Sequence, residues 1–330
     1  MMTGVLEITG RIDLAQFWAS GESDADTVQV TLSPADGAFT FRASAAAPAR
    51  VTNAFKNARF RDKKDAKGHP TYKMVIRKGA ITIRLQGIDA PELHFIPRVK
   101  GGHNFRQFLG ESSTLALAGR LKRGAKQSLP CRVVTAVDHP NDAVDVYGRF
   151  VGDILLPTSS GTELNINTWL AEQGWAFPTF YDTMTPAEID VIVNATSFPQ
   201  AKKMGVWGMY LKKIGPLDRK LLYRKGGPPA PARDHGPVIF PKLFRRLCAY
   251  SVKLDTKKFN GTLLAYLRTQ KADKCYRMND FLKNPERKPN ARLAQFVNST
   301  DQFLSTPGGL VYSEKPATIV DVKLRPIKRW

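Results

Sequence analysis

Three polar side chains between residues 84 and 92 have the types and the spacing that phosphodiester chemistry requires. The segment reads Arg-Leu-Gln-Gly-Ile-Asp-Ala-Pro-Glu, which places Asp89 five residues after Arg84 and Glu92 three residues after Asp89. Attack on a phosphodiester adds negative charge to an anion, so a site needs positive charge, a polarising cation and an oriented water. A guanidinium, a carboxylate for a hard cation and a carboxylate that can act as a base would supply these.

Two other segments carry the same kinds of side chain. Residues 23–28 read Ser-Asp-Ala-Asp-Thr-Val, and residues 145–149 read Asp-Val-Tyr-Gly-Arg. Asp26 adds a second carboxylate for a hard cation, and Arg149 adds a second guanidinium whose planar fork matches phosphate oxygens. Asp145 is expected to orient Arg149 or to cap its turn.

Together the three segments resemble the signatures of the staphylococcal-nuclease-like (thermonuclease) family, which read roughly R-L-x-G-I-D-x-P-E, D-G-D-T-V and D-x-Y-G-R. The resemblance covers about residues 5–210 and includes Gly174-Trp175-Ala176 and Gly205-Val206-Trp207. It implies an SNase-like OB-fold and a metal-dependent hydrolase, a nuclease that cleaves DNA, RNA or both.

The resemblance also implies a role for each matching residue. The metal ligands would be Asp26, Asp89 and the backbone carbonyl of Ala90, and the ion would be Ca²⁺, with Mg²⁺ as the alternative. Glu92 would activate the attacking water, and Arg84 and Arg149 would stabilise the phosphorane. The candidate substrate contacts are Tyr181 and Tyr147, and packing against the barrel is the competing interpretation of Tyr147.

Two features depart from the family pattern. Ala25 stands where the family usually has glycine, and Asp26 lies 58 positions before Arg84 instead of about one hairpin. The longer spacing predicts an insertion at about residues 36–79. Its basic run at 59–67 is interpreted either as a solvated loop or as an arm that holds the substrate backbone.

The elements that must position these side chains follow from hydrophobic periodicity. Short alternating runs with glycines at their corners favour a small barrel of the OB kind. The expected fold is α+β or mainly β, a five-stranded OB-like barrel with about three helices. The strands are predicted at 5–17, 26–32, 81–85, 132–137 and 150–156, and the helices at 105–121, at 167–173 and from Thr185, whose capping box marks a helix start and whose helix Pro199 should break or restart.

The last third of the chain resembles no family that we recognise. A Gly/Pro-rich stretch at 214–239 is typical of a linker. It would separate a nuclease-like domain at 1–213 from a smaller, mostly helical, basic domain at 240–330. Within that domain the pattern predicts helices at 240–250, 261–268 and 291–303 and a final strand at 317–324.

Net charge indicates the class of partner. The chain has 50 Lys and Arg against 29 acids, a net charge of +21. Residues 216–330 hold 24 Lys and Arg against 9 acids, a net charge of +15, which predicts an electrostatic handle for DNA or RNA. Three widely spaced cysteines without a C-x-x-C pair indicate neither a zinc site nor a disulfide framework.

The N-terminal residues lack the apolar stretch of a signal peptide, and the chain has no membrane-spanning apolar run. A cytoplasmic location is therefore expected, with export by another route left open, and with no membrane and no obligate protein partner. Three functions remain: a nuclease, a nucleic-acid-binding module that has lost catalysis on the same fold, or a protein whose basic C-terminal region is the active part.

Overall fold

The computed structural model describes residues 4–13, 24–44, 46–64, 67–122, 128–214, 234–314 and 317–330. The strands in chain order are β1 (Val5–Asp13), β2 (Thr27–Leu32), β3 (Phe39–Arg42), β4 (Arg50–Val51), β5 (Arg59–Lys64), β6 (Pro70–Met74), β7 (Ala80–Leu85), β8 (Ile88–Asp89), β9 (Ser128–Ala136), β10 (Phe150–Pro157), β11 (Glu163–Asn165), β12 (Phe177–Pro178), β13 (Phe180–Tyr181), β14 (Lys274–Arg277), β15 (Ala291–Arg292), β16 (Leu310–Tyr312) and β17 (Ile319–Val320). The helices are α1 (Gly110–Lys122), α2 (Ile166–Glu172), α3 (Pro186–Ala201), α4 (Val206–Met209), α5 (Pro241–Asp255), α6 (Leu263–Thr269) and α7 (Met278–Lys283), with 3₁₀ turns at Pro140–Ala143 and Leu293–Phe296.

Five strands close into a mixed barrel, which confirms the predicted fold class. Strand β1 pairs antiparallel with β2 and with β9, and β9 pairs antiparallel with β10. Strand β10 then pairs parallel with β7, and β7 pairs antiparallel with β2, so the ring is complete. The alternating residues that predicted these strands point into the barrel, as at Ile8, Val28 and Ile83, which are fully buried.

The predicted insertion at 36–79 forms strands. Strands β3 and β4 continue the sheet beyond β1, while β5 and β6 form a hairpin that pairs with β17 near the end of the chain. Phe55 and Phe60 from this segment are buried in the barrel core. The solvated-loop interpretation is therefore wrong for residues 59–64, and residues 65–66 lie outside the described residues.

The C-terminal region packs against the barrel unit through a second core. Phe177 and Trp207 lie in the same buried cluster as Phe244 and Leu247 of α5. In addition, β13 pairs in parallel with β16. Most of the proposed linker, residues 215–233, lies outside the described residues, so the domain division at 214–239 stays a prediction.

Two helix predictions were wrong. Helix α3 continues through Pro199, which lies in its last turn, so the ring disturbs only the end of the helix. Residues 291–303 form β15 and a 3₁₀ turn instead of a helix. There the Asn298 carboxamide oxygen accepts hydrogen bonds from the backbone N–H groups of Thr300 and Gln302, which stabilises a turn over a helix. Among the described residues, no helix combines the length and the apolar character needed to cross a membrane.

Candidate active site

The pairing of β2 with β7 brings Asp26 to Arg84. The register places Arg84 opposite Thr27, and the backbone N–H of Leu85 donates to the Asp26 carbonyl at 2.8 Å. The Arg84 guanidinium forms an ion pair with the Asp26 carboxylate. Both side chains are buried, so the pair replaces the water that each charge gives up.

Asp89 lies on the other side of the same guanidinium. Strand β8 pairs with β12 and sets Asp89 opposite Phe177, where its carboxylate is fully buried. Arg84 Nη2 donates to Asp89 Oδ1 at 2.7 Å, and the Ala90 N–H donates to Asp26 Oδ2 at 2.8 Å. Arg84 therefore bridges the two predicted metal ligands.

Glu92 lies in a loop that is held at its backbone. The Gln107 N–H donates to the Glu92 carbonyl at 2.8 Å. Burial raises the pKa of Glu92 to about 8, against the opposing effect of Arg245 and with a further increase from the nearby Asp24 and Asp89 carboxylates. Burial thus favours the protonated carboxyl, and the contact with Arg245 favours the carboxylate.

Arg149 is joined to the same network through Thr27. Its Nε donates to Asp145 Oδ2 at 2.8 Å, and its Nη1 donates to Thr27 Oγ1 at 3.3 Å. Thr27 Oγ1 in turn donates to Asp26 Oδ1 at 3.2 Å. The expected role of Asp145 in orienting Arg149 and its turn is confirmed, since Asp145 Oδ1 also accepts from the Arg149 N–H at 3.0 Å.

The two predicted substrate contacts have different surroundings. Tyr147 is 50% exposed, and the guanidiniums of Arg98 and Arg149 lie 4.3 Å and 5.3 Å from its ring centroid. Tyr147 therefore does not pack into the barrel core. Tyr181 is half-buried, and the Lys242 ammonium lies 5.3 Å from its ring centroid. Their contact with a substrate stays a prediction.

Sequence reasoning missed the residue that contacts both Asp89 and Glu92. Arg245 of α5 donates to Asp89 through Nη1 at 3.1 Å and Nη2 at 2.8 Å, and its Nη1 also pairs with Glu92 Oε1. The available signal was a pair of cations, Arg245 and Arg246, inside an apolar helical pattern. Nothing local linked Arg245 to a carboxylate more than 150 positions away.

Asp24 lies in the segment 23–28, and the sequence pattern predicted no role for it. Its Oδ1 accepts from the Leu93 N–H at 2.7 Å, which ties the turn before β2 to the Glu92 loop. Burial raises the pKa of Asp24 to about 7, with a further increase from Asp26. Ala25 between them is fully buried and has no positive φ, so this turn forms without the glycine that the family usually has.

The carboxylates do not fit a divalent cation in this arrangement. Both Asp89 oxygens are bound by guanidiniums, and Asp26 Oδ2 is bound by Arg84 and by the Ala90 N–H. The described parts of the chain contain no group of three or more His, Cys, Asp or Glu side chains that could hold a metal ion. Hard cations need oxygen ligands that face them, and here these oxygens face N–H donors.

Residues 82–209 match the family model described as Staphylococcal nuclease homologue. The match includes Arg84, Asp89, Glu92 and Arg149, whereas Asp26 and Arg245 lie outside it. No curated protein matches the chain.

Proposed function

We propose that this protein hydrolyses the phosphodiester bonds of DNA or RNA at the site around Glu92, and the match of residues 82–209 to the staphylococcal nuclease homologue model supports this. The observation that carries the proposal is one continuous polar network. It runs from Arg149 through Thr27, Asp26, Arg84, Asp89 and Arg245 to Glu92. Four separate chain segments contribute to this network. A barrel with a purely structural role would not require such a network.

Glu92 is the base in this proposal. Its carboxylate would take the proton of the attacking water, which requires the ionised form that the contact with Arg245 favours. Arg149 would bind the phosphate, because its side chain is 28% exposed and is held by Asp145 in one orientation. Arg84 is buried between Asp26 and Asp89, so its part is to hold these two carboxylates in place.

Tyr147 supports a nucleic-acid substrate. It is exposed beside Arg149, and an exposed aromatic ring next to a phosphate-binding guanidinium can stack on a base. Tyr181 is less accessible and would act from the floor of the site. The chain's net charge of +21 would raise the concentration of polyanions around the protein.

The test is cleavage of plasmid, single-stranded DNA and RNA by the full chain with Ca²⁺, with Mg²⁺ and with EDTA. We expect Glu92→Gln to lower the cleavage rate by a factor of about 10²–10⁴ while oligonucleotide binding persists. Glu172→Gln is the matched control, because Glu172 is exposed at the end of α2. Equal rates for Glu92→Gln and the wild type would remove Glu92 from the mechanism.

The second candidate is a nucleic-acid-binding module without catalysis. The observation that favours it is the pairing of Glu92 with Arg245, which occupies one oxygen of the proposed base. This alternative predicts salt-dependent oligonucleotide binding and no cleavage under any of the three conditions.

A further inference from the structure

We infer that Arg245 is the resident cation of this site and takes the place expected for a divalent metal ion. This rests on the proposed function only in that both concern the site around Glu92. A side chain of the protein itself neutralises Asp89 and Glu92. A divalent ion would then compete with Arg245 for the same oxygens.

The contacts of Arg245 are those that a cation at this position would make. Its guanidinium binds both oxygens of Asp89 and also Glu92 Oε1. The Arg245 side chain is 23% exposed, while the Asp89 and Glu92 side chains are almost fully buried. Two buried carboxylates side by side require a compensating positive charge, and here a two-pronged guanidinium provides it.

Helix α5 fixes Arg245 as a permanent part of the site. Nine of its fifteen residues are buried, and Phe244 and Leu247 on either side of Arg245 pack into the second core with Phe177 and Trp207. Gln107 adds a link, since its backbone holds the Glu92 loop and its side-chain amide donates to the carbonyl of Ile239, just before α5. The helix cannot move away from the site without opening this core.

The same helix supplies a second positive charge. Lys242 precedes Arg245 by three residues and so lies on the same face of α5. Its ammonium lies 4.0 Å from the Tyr312 ring centroid and 5.3 Å from the Tyr181 ring centroid. Lys242 therefore adds positive charge beside the site, whereas Arg245 makes the direct contacts with Asp89 and Glu92.

Calcium titration of the full chain by isothermal titration calorimetry tests the inference. In Arg245→Met we expect one Ca²⁺ site with a Kd of about 10⁻⁴–10⁻³ M, at least about tenfold tighter than any site in the wild type. Arg246→Met is the matched control, because Arg246 is the next residue on α5 and binds Asp273 outside the site. It should behave as the wild type, and the double variant Arg245→Met with Asp89→Asn should lose the new site.

Two results would overturn the inference: wild type and Arg245→Met binding Ca²⁺ equally well, or a folded Arg245→Met that gains no site. Should Arg245→Met fail to fold, as circular dichroism would reveal, Arg245→Lys replaces it. A lysine ammonium lacks the planar fork that matches both Asp89 oxygens, so the Ca²⁺ affinity of Arg245→Lys should rise at least about threefold over the wild type. Equality with the wild type would again refute the inference.

Cleavage assays separate this inference from the proposed function. If both are right, the wild type cleaves single-stranded DNA at the same rate in EDTA as in Ca²⁺. Cleavage that requires Ca²⁺ would overturn the inference and leave the nuclease in place. Absence of cleavage under all conditions, together with the expected calcium titrations, would overturn the nuclease and leave the inference in place.

Discussion

The site is built around charged side chains that are buried. Arg84, Asp26 and Asp89 are all nearly inaccessible to water, so each depends on the others for stabilisation. Replacing one partner of such a set leaves an uncompensated charge in a poorly polarisable interior, which costs far more than the loss of a surface pair. These residues of the site therefore also stabilise the fold.

The first prediction compares two arginines of the site. We expect Arg84→Met to lower the free energy of unfolding by about 3–5 kcal/mol, because it strands Asp26 and part of the charge of Asp89. Arg149→Met should cost no more than about 1 kcal/mol, because the Arg149 side chain is 28% exposed and Asp145 keeps its hydrogen bonds from the backbone N–H groups at residues 147 and 149. Urea unfolding measures both, and similar losses for the two variants would contradict the argument.

A second prediction concerns Asp153, on β10 away from the site. Burial raises its pKa to about 7, against the hydrogen bonds from Asn165 and Asn167. A carboxyl with a raised pKa stays protonated in the folded state after the unfolded chain has ionised, so its contribution to stability is lost as pH rises toward 7. Relative to the wild type, Asp153→Asn should gain about 2–3 kcal/mol of stability between pH 5 and pH 8. Urea unfolding at both pH values checks this, with Asp190→Asn on the exposed face of α3 as control.

The sequence predicted those site residues that lie close together in one short segment. Residues 84, 89 and 92 share one strand and turn, so their spacing alone limits how far apart they can lie. Arg245 could not be found this way, because its place depends on how α5 packs, and its neighbours Phe244 and Leu247 read as an ordinary apolar helix face. The raised pKa of Glu92 likewise follows from burial, which only the folded chain creates.

Elements that the family pattern lacks support the turn before Arg149. Gly148 has φ of +80°, and a Cβ placed there would lie 2.2 Å from Phe60 of β5. The hairpin of β5 and β6 thus packs directly on the turn that aims Arg149. The insertion was predicted from a spacing, but its role as a support could not be, because it depends on a contact between segments almost ninety residues apart.

The third prediction separates backbone strain from this contact. Gly161 also has a positive φ, of +79°, but a Cβ there would meet nothing within 4 Å. Gly161→Ala should therefore cost about 1 kcal/mol, whereas Gly148→Ala should cost at least about 2–3 kcal/mol because Phe60 must move. Thermal unfolding compares the two variants. The affinity of Gly148→Ala for oligonucleotide phosphates should also fall, because the turn aims Arg149. Equal destabilisation by the two substitutions would mean that the contact with Phe60 does not contribute to their cost.

Across the whole molecule, the net positive charge is concentrated in the C-terminal region, whereas the buried core is shared between that region and the barrel. Residues 216–330 carry +15 of the net charge of +21, yet the apolar side chains of this C-terminal region complete a core with Phe177 and Trp207. Deleting it to test the electrostatic handle would expose that core. The charge asymmetry can be counted in the sequence, but the shared core could not be predicted from it, because apolar residues in a sequence do not reveal which segment they will contact.

The fourth prediction tests the handle without truncation. Lys283, Arg287 and Lys288 are exposed in the C-terminal region, so replacing all three by Gln should leave the fold intact. If they contact nucleic-acid phosphates, the slope of log K against log salt for duplex DNA should decrease by about 0.9 per lost contact. The control changes Lys202 and Lys203, exposed at the end of α3, to Gln. An unchanged slope in the triple variant would contradict the handle.

The position of Arg245 also has a consequence for synthesis. A ribosome makes Asp89 and Glu92 more than 150 residues before the arginine that neutralises them. Domains generally begin to fold from the N-terminal side as they emerge, but this barrel cannot complete its charge pairing until α5 has left the ribosome. Until then Asp89 can pair only with Arg84, and Glu92 lacks the cation that binds it in the folded protein, so the finished site appears only once most of the chain has been made.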